Sequence, residues 1–201
     1  MNRLIIIGAS GHGRVVADVA SLVGYESIVF LEDDAELKEC AGYPVLGPEK
    51  MLKELDGDVF VAIGDSKVRK QFMESESNRV FPVLMHPSAV IAKGVSINEG
   101  TVIMAGAVIN PNVKIGKGCI VNTSSSVDHD CIVGDYSHVA VGSHLCGTVE
   151  VGESCWIGAG AVVSNNLRIN SNATIGAGAV VIKDVPANCT VVGNPAKAIS
   201  Q

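Results

Sequence analysis

From Ile91 onward an aliphatic residue returns at every sixth position without a break: Ile91, Ile97, Ile103, Ile109, Ile115, Val121, Val127, Val133, Val139, Leu145, Val151, Ile157, Val163, Ile169, Ile175 and Val181. Two residues before each stands a side chain that is usually small, such as Thr101, Ala107, Cys119, Ser125, Cys131, Ser137, Ser143 and Cys155, with Val95, Val113, Val149 and Leu167 the larger members. A strand turns alternate side chains to one face, so both members of each pair point inward. The residue after the aliphatic is often Gly, Asn or Asp, as at Asn98, Asn110, Gly116, Asp128 and Gly134, which suits a corner where the backbone needs positive φ. A six-residue period of this kind specifies a parallel β-helix. At three hexads per triangular coil the frames build about five coils, and strand spacing makes a prism about 25 Å tall. Its interior is too narrow for a ligand and no frame is interrupted by a loop. Any site must lie on the outside, and a flat-sided prism with few aromatics is expected to pack against copies of itself as a homo-oligomer.

Residues 1–85 follow a different grammar. "RLIIIG" reads as a buried strand, "HGRVVADVASLVG" as an amphipathic helix, "SIVFLEDD" as a strand, "EKMLKEL" as a helix, "DVFVAIGD" as a strand, "SKVRKQFMESE" as a helix and "RVFPVL" as a fourth strand. Strand–helix alternation predicts a parallel α/β sheet. The expected division is 1–85 and 86–201, with the join near "MHPSAV". A hydrophobic content of 47% with 18% charged residues is globular in character. A net charge of −6 without a basic run argues against nucleic acid as a partner. The four apolar residues before the first glycine are too few for a signal-peptide core, and no apolar run reaches membrane-spanning length, so a cytoplasmic protein is expected. Six cysteines without a CxxC pair point to reduced thiols without a metal role.

The first strand ends in Gly8-Ala9-Ser10-Gly11-His12-Gly13, opening a helix whose free N–H groups suit phosphate. The spacing is G-x-x-G-x-G, which differs from the dinucleotide fingerprint, and about 85 residues hold only half of a dinucleotide fold. Glu32, Asp33 and Asp34 follow the second strand, placed to hydrogen-bond a base or ribose. A nucleoside diphosphate such as that of a nucleotide-sugar fits this half-fold. The competing reading is a tight strand-to-helix turn and nothing more, although a turn needs no imidazole at His12.

Within the repeat, His129 falls at an outward corner, and His138 and His144 each precede an inward aliphatic and so face outward too. None is expected in the core. His129 and His138 are nine residues apart, half of an eighteen-residue coil, and so lie on opposite sides of the prism. Asp128 and Asp130 flank His129; a neighbouring carboxylate raises imidazole basicity and fixes its tautomer, as a general base requires. The alternatives are a solvated surface histidine, or a metal ligand, for which the intervals of nine and six residues match the trimeric histidine zinc sites of hexapeptide-repeat proteins poorly.

With "GASGHGRVVADVA", "FLEDD", "VAIGDSKVRK", "HPSAVIA", "NTSSSVDHDCIVGDYSHVAVGSHLCGTVEVGE" and "VVGNPAK" in this order, the chain resembles the NeuD/PglD-like bacterial sugar acyltransferases, and most of all the nucleotide-amino-sugar N-acetyltransferases among them. The resemblance implies a small Rossmann-like nucleotide-sugar domain followed by a left-handed β-helix that trimerises, binds acetyl-CoA between subunits and serves glycan biosynthesis. By the same resemblance His129 is the general base, Asp130 raises its basicity, and the Gly147 N–H meets the thioester oxygen. Asn122 helps position the sugar, His138 contacts acetyl-CoA, and Gly158, Ala159, Gly176 and Ala177, as small outward residues, border the pantetheine. Ser10, Gly11 and His12 take phosphate and ribose, Glu32 and Asp33 take the base, and Gly64, Lys67 and Arg69 add further contacts. Family members can carry Glu at the position of Asp130, and Glu-Asp-Asp stands here for Asp-Asp, which leaves uracil or guanine open. The expected reaction is N-acetylation of a nucleotide-linked 4-amino-deoxysugar without a metal. Its rivals are O-acetylation of a sialic acid or related sugar on the same scaffold, and a non-catalytic nucleotide-sugar-binding scaffold.

Overall fold

The computed structural model describes residues 2–199; Met1 and the last two residues of the 86–201 segment lie outside them. Packing divides the chain into two units at Pro87 and Ser88.

In the first unit β1 (Arg3–Ile7) is an inner strand of a five-stranded sheet. The helix α1 (Gly11–Leu22) leads from it to β2 (Ser27–Leu31), which pairs parallel on one side, and β5 (Asp58–Val61) pairs parallel on the other. Leu4, Ile5, Ile6 and Ile7 are fully buried, as a strand covered on both faces requires. α1 buries Gly13, Val16, Ala17, Val19 and Ala20, a stripe at helical spacing. The second helix, α2 (Ser66–Ser75), starts at Asp65, whose carboxylate accepts from the N–H groups of Lys67 (2.8 Å) and Val68 (3.1 Å).

Two expectations for this unit are corrected, the fourth strand and the wholly parallel sheet. "RVFPVL" forms no fourth strand: only Leu84 enters one, the two-residue Leu84–Met85, since Pro82 has no N–H to give a ladder. The sheet is completed instead by a hairpin, β3 (Glu39–Cys40) antiparallel to β4 (Tyr43–Gly47), with β4 parallel to β2. "EKMLKEL" forms the helix expected, of the 3₁₀ type, over Glu49–Glu54.

The second unit is the left-handed parallel β-helix expected, with three walls. Val90–Ile91, Val108–Ile109, Ser126–Val127, His144–Leu145, Val162–Val163 and Val180–Val181 form the first wall. Ser96–Ile97, Lys114–Ile115, Ile132–Val133, Glu150–Val151 and Arg168–Ile169 form the second. The third carries Val102–Ile103, Ile120–Val121, His138–Val139, Trp156–Ile157, Thr174–Ile175 and Thr190–Val192. Strands pair in parallel with residue i beside i+18 throughout the first and second walls, as Val108 beside Ser126 and Ser126 beside His144. The aliphatics from Ile103 to Val181 line one continuous buried core. Polar groups inside it are satisfied coil to coil. Ser137 Oγ donates to Gly152 O (2.7 Å) and accepts from Cys155 N (2.9 Å), and Thr101 does the same with Gly116 O and Cys119 N. Cys119, Cys131 and Cys155 donate their thiols to the carbonyls of Gly134, Cys146 and Asn170. Burial pushes the Cys131 thiol up to about 11, so these cysteines are packing groups.

The corners differ from expectation. Positive φ falls three residues after each aliphatic from Ile91 to Ile175, at Gly94, Gly106, Asn112, Ser124, Asp130, Tyr136 and Thr148 among others, and not one residue after. The glycines one residue after the aliphatic answer to space: a Cβ at Gly116, Gly134 or Gly152 would stand 2.3–2.6 Å from the next coil, closer than any packing tolerates.

Candidate active site

Two constellations stand out, one in each unit. In the first, the strand order reverses direction between β1 and β5, the switch point at which open α/β sheets bind ligands beyond their strand ends. The glycine turn follows β1 there. Gly8 has φ +94° and its missing side chain makes room for Ile63 and Ala62, and a Cβ on Gly13 would meet Gly8 O at 2.3 Å; both glycines serve the turn itself. Around Gly11 and Gly64 there is open space instead, and Ser10, Gly11, Gly64 and Lys67 are exposed on this rim. The Ser10 hydroxyl does not cap the helix. Beneath the rim, His12 Nε2 is buried without a hydrogen-bond partner. Burial, with the Arg69 guanidinium adding to it, pushes the His12 imidazolium down to about 4, so the ring is neutral at physiological pH. Arg69 is itself 1% exposed and donates to the carbonyls of Ile63 and Gly64, which makes it the brace of this loop. Glu32 is likewise committed: its carboxylate accepts from Ala9 N (2.9 Å) and Asp33 N (3.0 Å), tying the end of β2 to the glycine turn. Asp33 accepts from Glu49 N and is exposed.

The second constellation is the corner between the first and second walls. Asn110 and Asn112, one coil below, donate to Asp128 (2.6 Å) and Asp130 (2.9 Å). Asp130, at φ +60°, holds His129 Nδ1 at 2.8 Å, with half of each side chain exposed. The hydrogen bond to Asp130, and then the charge of Asp128, raise the His129 pKa above its ordinary value. That bond places the proton on Nδ1 and leaves the Nε2 lone pair free, the arrangement of a general base. Nε2 lies over Gly147 of the next coil, where a Cβ would approach it to 2.6 Å. The absence of a side chain at Gly147 is what seats the ring. At some other corners the equivalent N–H is capped by a side-chain oxygen, Asp135 for Lys117, Asn122 for Thr123 and Asp128 for His129. Cys146 precedes Gly147, and the Gly147 N–H meets no acceptor among the described residues.

His138 departs from expectation. It points outward from the coil yet is only 8% exposed, packed edge-on against Trp156 with ring centroids 4.4 Å apart. Its Nε2 accepts from Asn122 Nδ2 at 3.0 Å, and Asn122 Oδ1 accepts from Thr123 N, which fixes the amide and leaves the His138 proton on Nδ1. Asn122 thus positions His138 directly. Trp156 carries no expectation from the sequence; its place eighteen residues after His138 is the signal that identifies it. At the corner between the third and first walls Ala159 and Ala177 are exposed, but Gly158 is buried, glycine because a Cβ would strike Ile175 O and Ala177 N, and Gly176 is held by Val192. Among the described residues no three His, Cys, Asp or Glu side chains converge as a metal site, and no helix is long and apolar enough to cross a membrane.

Comparison with known proteins agrees with both units. Residues 3–75 match the PglD N-terminal domain and residues 148–183 the bacterial transferase hexapeptide. The chain is 36% identical over 111 residues to UDP-N-acetylbacillosamine N-acetyltransferase of Bacillus subtilis, a match spanning 51% of each chain. The acetyltransferase domain of PglB from Neisseria gonorrhoeae superposes with a TM-score of 0.96 at 39% identity, over 99% of this chain and 100% of that one, and has also been solved with acetyl coenzyme A. Perosamine N-acetyltransferase from Caulobacter crescentus, solved as a point mutant in complex with CoA and GDP-perosamine, gives 0.95 at 34% identity over 100% and 98% of the two chains. With likeness of this extent running through both units, the chain belongs to the NeuD/PglD-like family of bacterial sugar acyltransferases.

Proposed function

We propose that this chain is an acetyl-CoA-dependent N-acetyltransferase acting on the amino group of a nucleotide-linked 4-amino-deoxysugar, UDP- or GDP-linked, as a cytoplasmic homotrimer. The observation that carries the reading is the exposed His129 ring, its Nδ1 committed to Asp130 and its Nε2 free above the uncapped Gly147 N–H. The bound acyl donor and GDP-sugar of the two relatives agree with it.

The amine lone pair attacks the thioester carbonyl carbon, forming the C–N bond, while His129 Nε2 takes the amine proton. Charge that develops on the carbonyl oxygen is met by the Gly147 N–H. Collapse of the tetrahedral intermediate breaks the C–S bond, and the proton held on His129 is available to the departing thiolate. No covalent enzyme intermediate is needed, in keeping with Cys131 and Cys155, whose thiols burial pushes up. In this reading residues 1–85 hold the nucleotide, with Ser10, Gly11, Gly64 and Lys67 at the diphosphate, His12 as a neutral hydrogen-bonding group below it, Asp33 towards the base, and Glu32 and Arg69 bracing the loops. Residues 86–201 perform the transfer, with His138, oriented by Asn122, and the Ala159–Ala177 corner on the acyl-donor side and Gly158 and Gly176 keeping that corner close-packed.

The test is thiol release from acetyl-CoA with a panel of UDP- and GDP-linked amino-sugars and their hydroxyl counterparts. Turnover restricted to amines, with kcat lowered about 10²–10⁴-fold in His129→Ala, is expected; near-normal kcat in that variant would refute the base assignment.

A further inference from the structure

Three outward histidines lie in the β-helix, and the mechanism above uses only two. His144 stands on the first wall, in register above Ser126, with its Nδ1 2.8 Å from Ser126 Oγ. With Nδ1 engaged by the Ser126 hydroxyl, Nε2 is the ring nitrogen left for another partner. The ring is exposed, so that nitrogen is open to a ligand.

The position matters because of where His129 works. His129 rises from its own coil to lie over Gly147, so its free Nε2 sits at the level of the coil that begins with His144. His144 precedes Gly147 by three residues, which in extended chain is about 10 Å at most, less than the length of a sugar diphosphate. The small residues on the acyl-donor corner, Ala159 and Ala177, belong to the later part of this coil and to the next one. The base and His144 stand at the start of that coil, on the first wall and the corner that ends it, whereas Ala159 and Ala177 stand at the corner between the third and first walls.

Resting on the acetyl-transfer reading above, we infer that His144, steered by Ser126, is a positioning residue for the acceptor: its Nε2–H donates to an oxygen of the amino-sugar or of its attached phosphate and sets the amine against His129. The imidazole is neither base nor acid here; it fixes orientation, so its loss is felt in acceptor binding more than in proton transfer.

Steady-state kinetics on the full chain, varying acceptor and acetyl-CoA separately, decides the matter. His144→Ala is expected to raise KM for the nucleotide-amino-sugar about 5- to 10-fold, the worth of one hydrogen bond, with KM for acetyl-CoA unmoved and the pH midpoint of kcat/KM unchanged. His144→Gln, whose amide presents a donor near the Nε2 position, should recover most of the loss, and Ser126→Ala should show a smaller rise of the same kind. An unchanged acceptor KM in His144→Ala, or a rise confined to acetyl-CoA, overturns the inference. His129→Ala run alongside separates its failure from failure of the acetyltransferase reading: a silent His144→Ala beside an inactive His129→Ala removes only the role of His144.

Discussion

At the scale of single residues, the His129 corner makes two sharp demands. Gly147 has no side chain because His129 Nε2 occupies that space, 2.6 Å from where a Cβ would be, and its backbone is not in the left-handed region. Gly147→Ala is therefore expected to fold with a nearly unchanged Tm while displacing the ring, and a displacement of about 1 Å costs on the order of 10²-fold in kcat. Thermal melts and kcat measured on one preparation test both halves. Asp130 raises the His129 pKa through its hydrogen bond. With His129 as the proposed base the active form is neutral, and kcat/KM is expected to rise with pH through that pKa. Asp130→Asn removes the charge that favours imidazolium, and the rising limb is expected to move to lower pH with a lower plateau. A limb that stays in place would show that Asp130 orients the ring without tuning it. The acidic flanks of His129 are plain in the sequence. The seat beneath the ring is equally present once residues are counted in coils, since Gly147 is His129 plus eighteen. The burial of His138 could not be read that way: facing outward is a property of the coil, while burial depends on what lies against it, here Asn122 and Trp156.

At the scale of elements, the hexads gave the walls and core directly because inward aliphatics at fixed period are what a coil needs, whereas the corner φ pattern is shared among Gly, Asn, Asp, Ser, Thr and Tyr and leaves no clear compositional mark. The hairpin Glu39–Gly47 was hidden for a related reason. Its strands are short and Pro44 sits inside one of them, a residue that ordinarily argues against a strand within a sheet. The polar column inside the β-helix is where element stability is exposed to test. Ser137 satisfies a carbonyl and an N–H of the next coil from a fully buried position. Ser137→Ala leaves both without it, and a loss of about 1–3 kcal/mol is expected, read as a lower denaturation midpoint. A neutral result would mean that neighbouring coils relax to close the gap.

At the scale of the whole molecule, outward histidines that sit on different sides of one prism, His129 at the corner of the first two walls and His138 on the third, require a neighbouring subunit if they are to meet around one pair of substrates. Light scattering is expected to give about three times the 20.8 kDa of the chain, and an active species of single-chain mass would end the trimer reading. The stacking of each residue beneath its eighteenth successor also acts as a reading frame. Asn110 with Asp128, Asn112 with Asp130, His129 with Gly147 and Ser126 with His144 are all separated by that interval. A one-residue deletion between Asp130 and Gly147 would slide Thr148, with its branched side chain, into the seat of the imidazole. The His129 corner is thus free to drift in composition but not in length: descendants of this sequence that keep the His–Asp pair are expected to gain or lose residues in that stretch only by whole coils, and a working homologue with any other spacing to its glycine would break the rule.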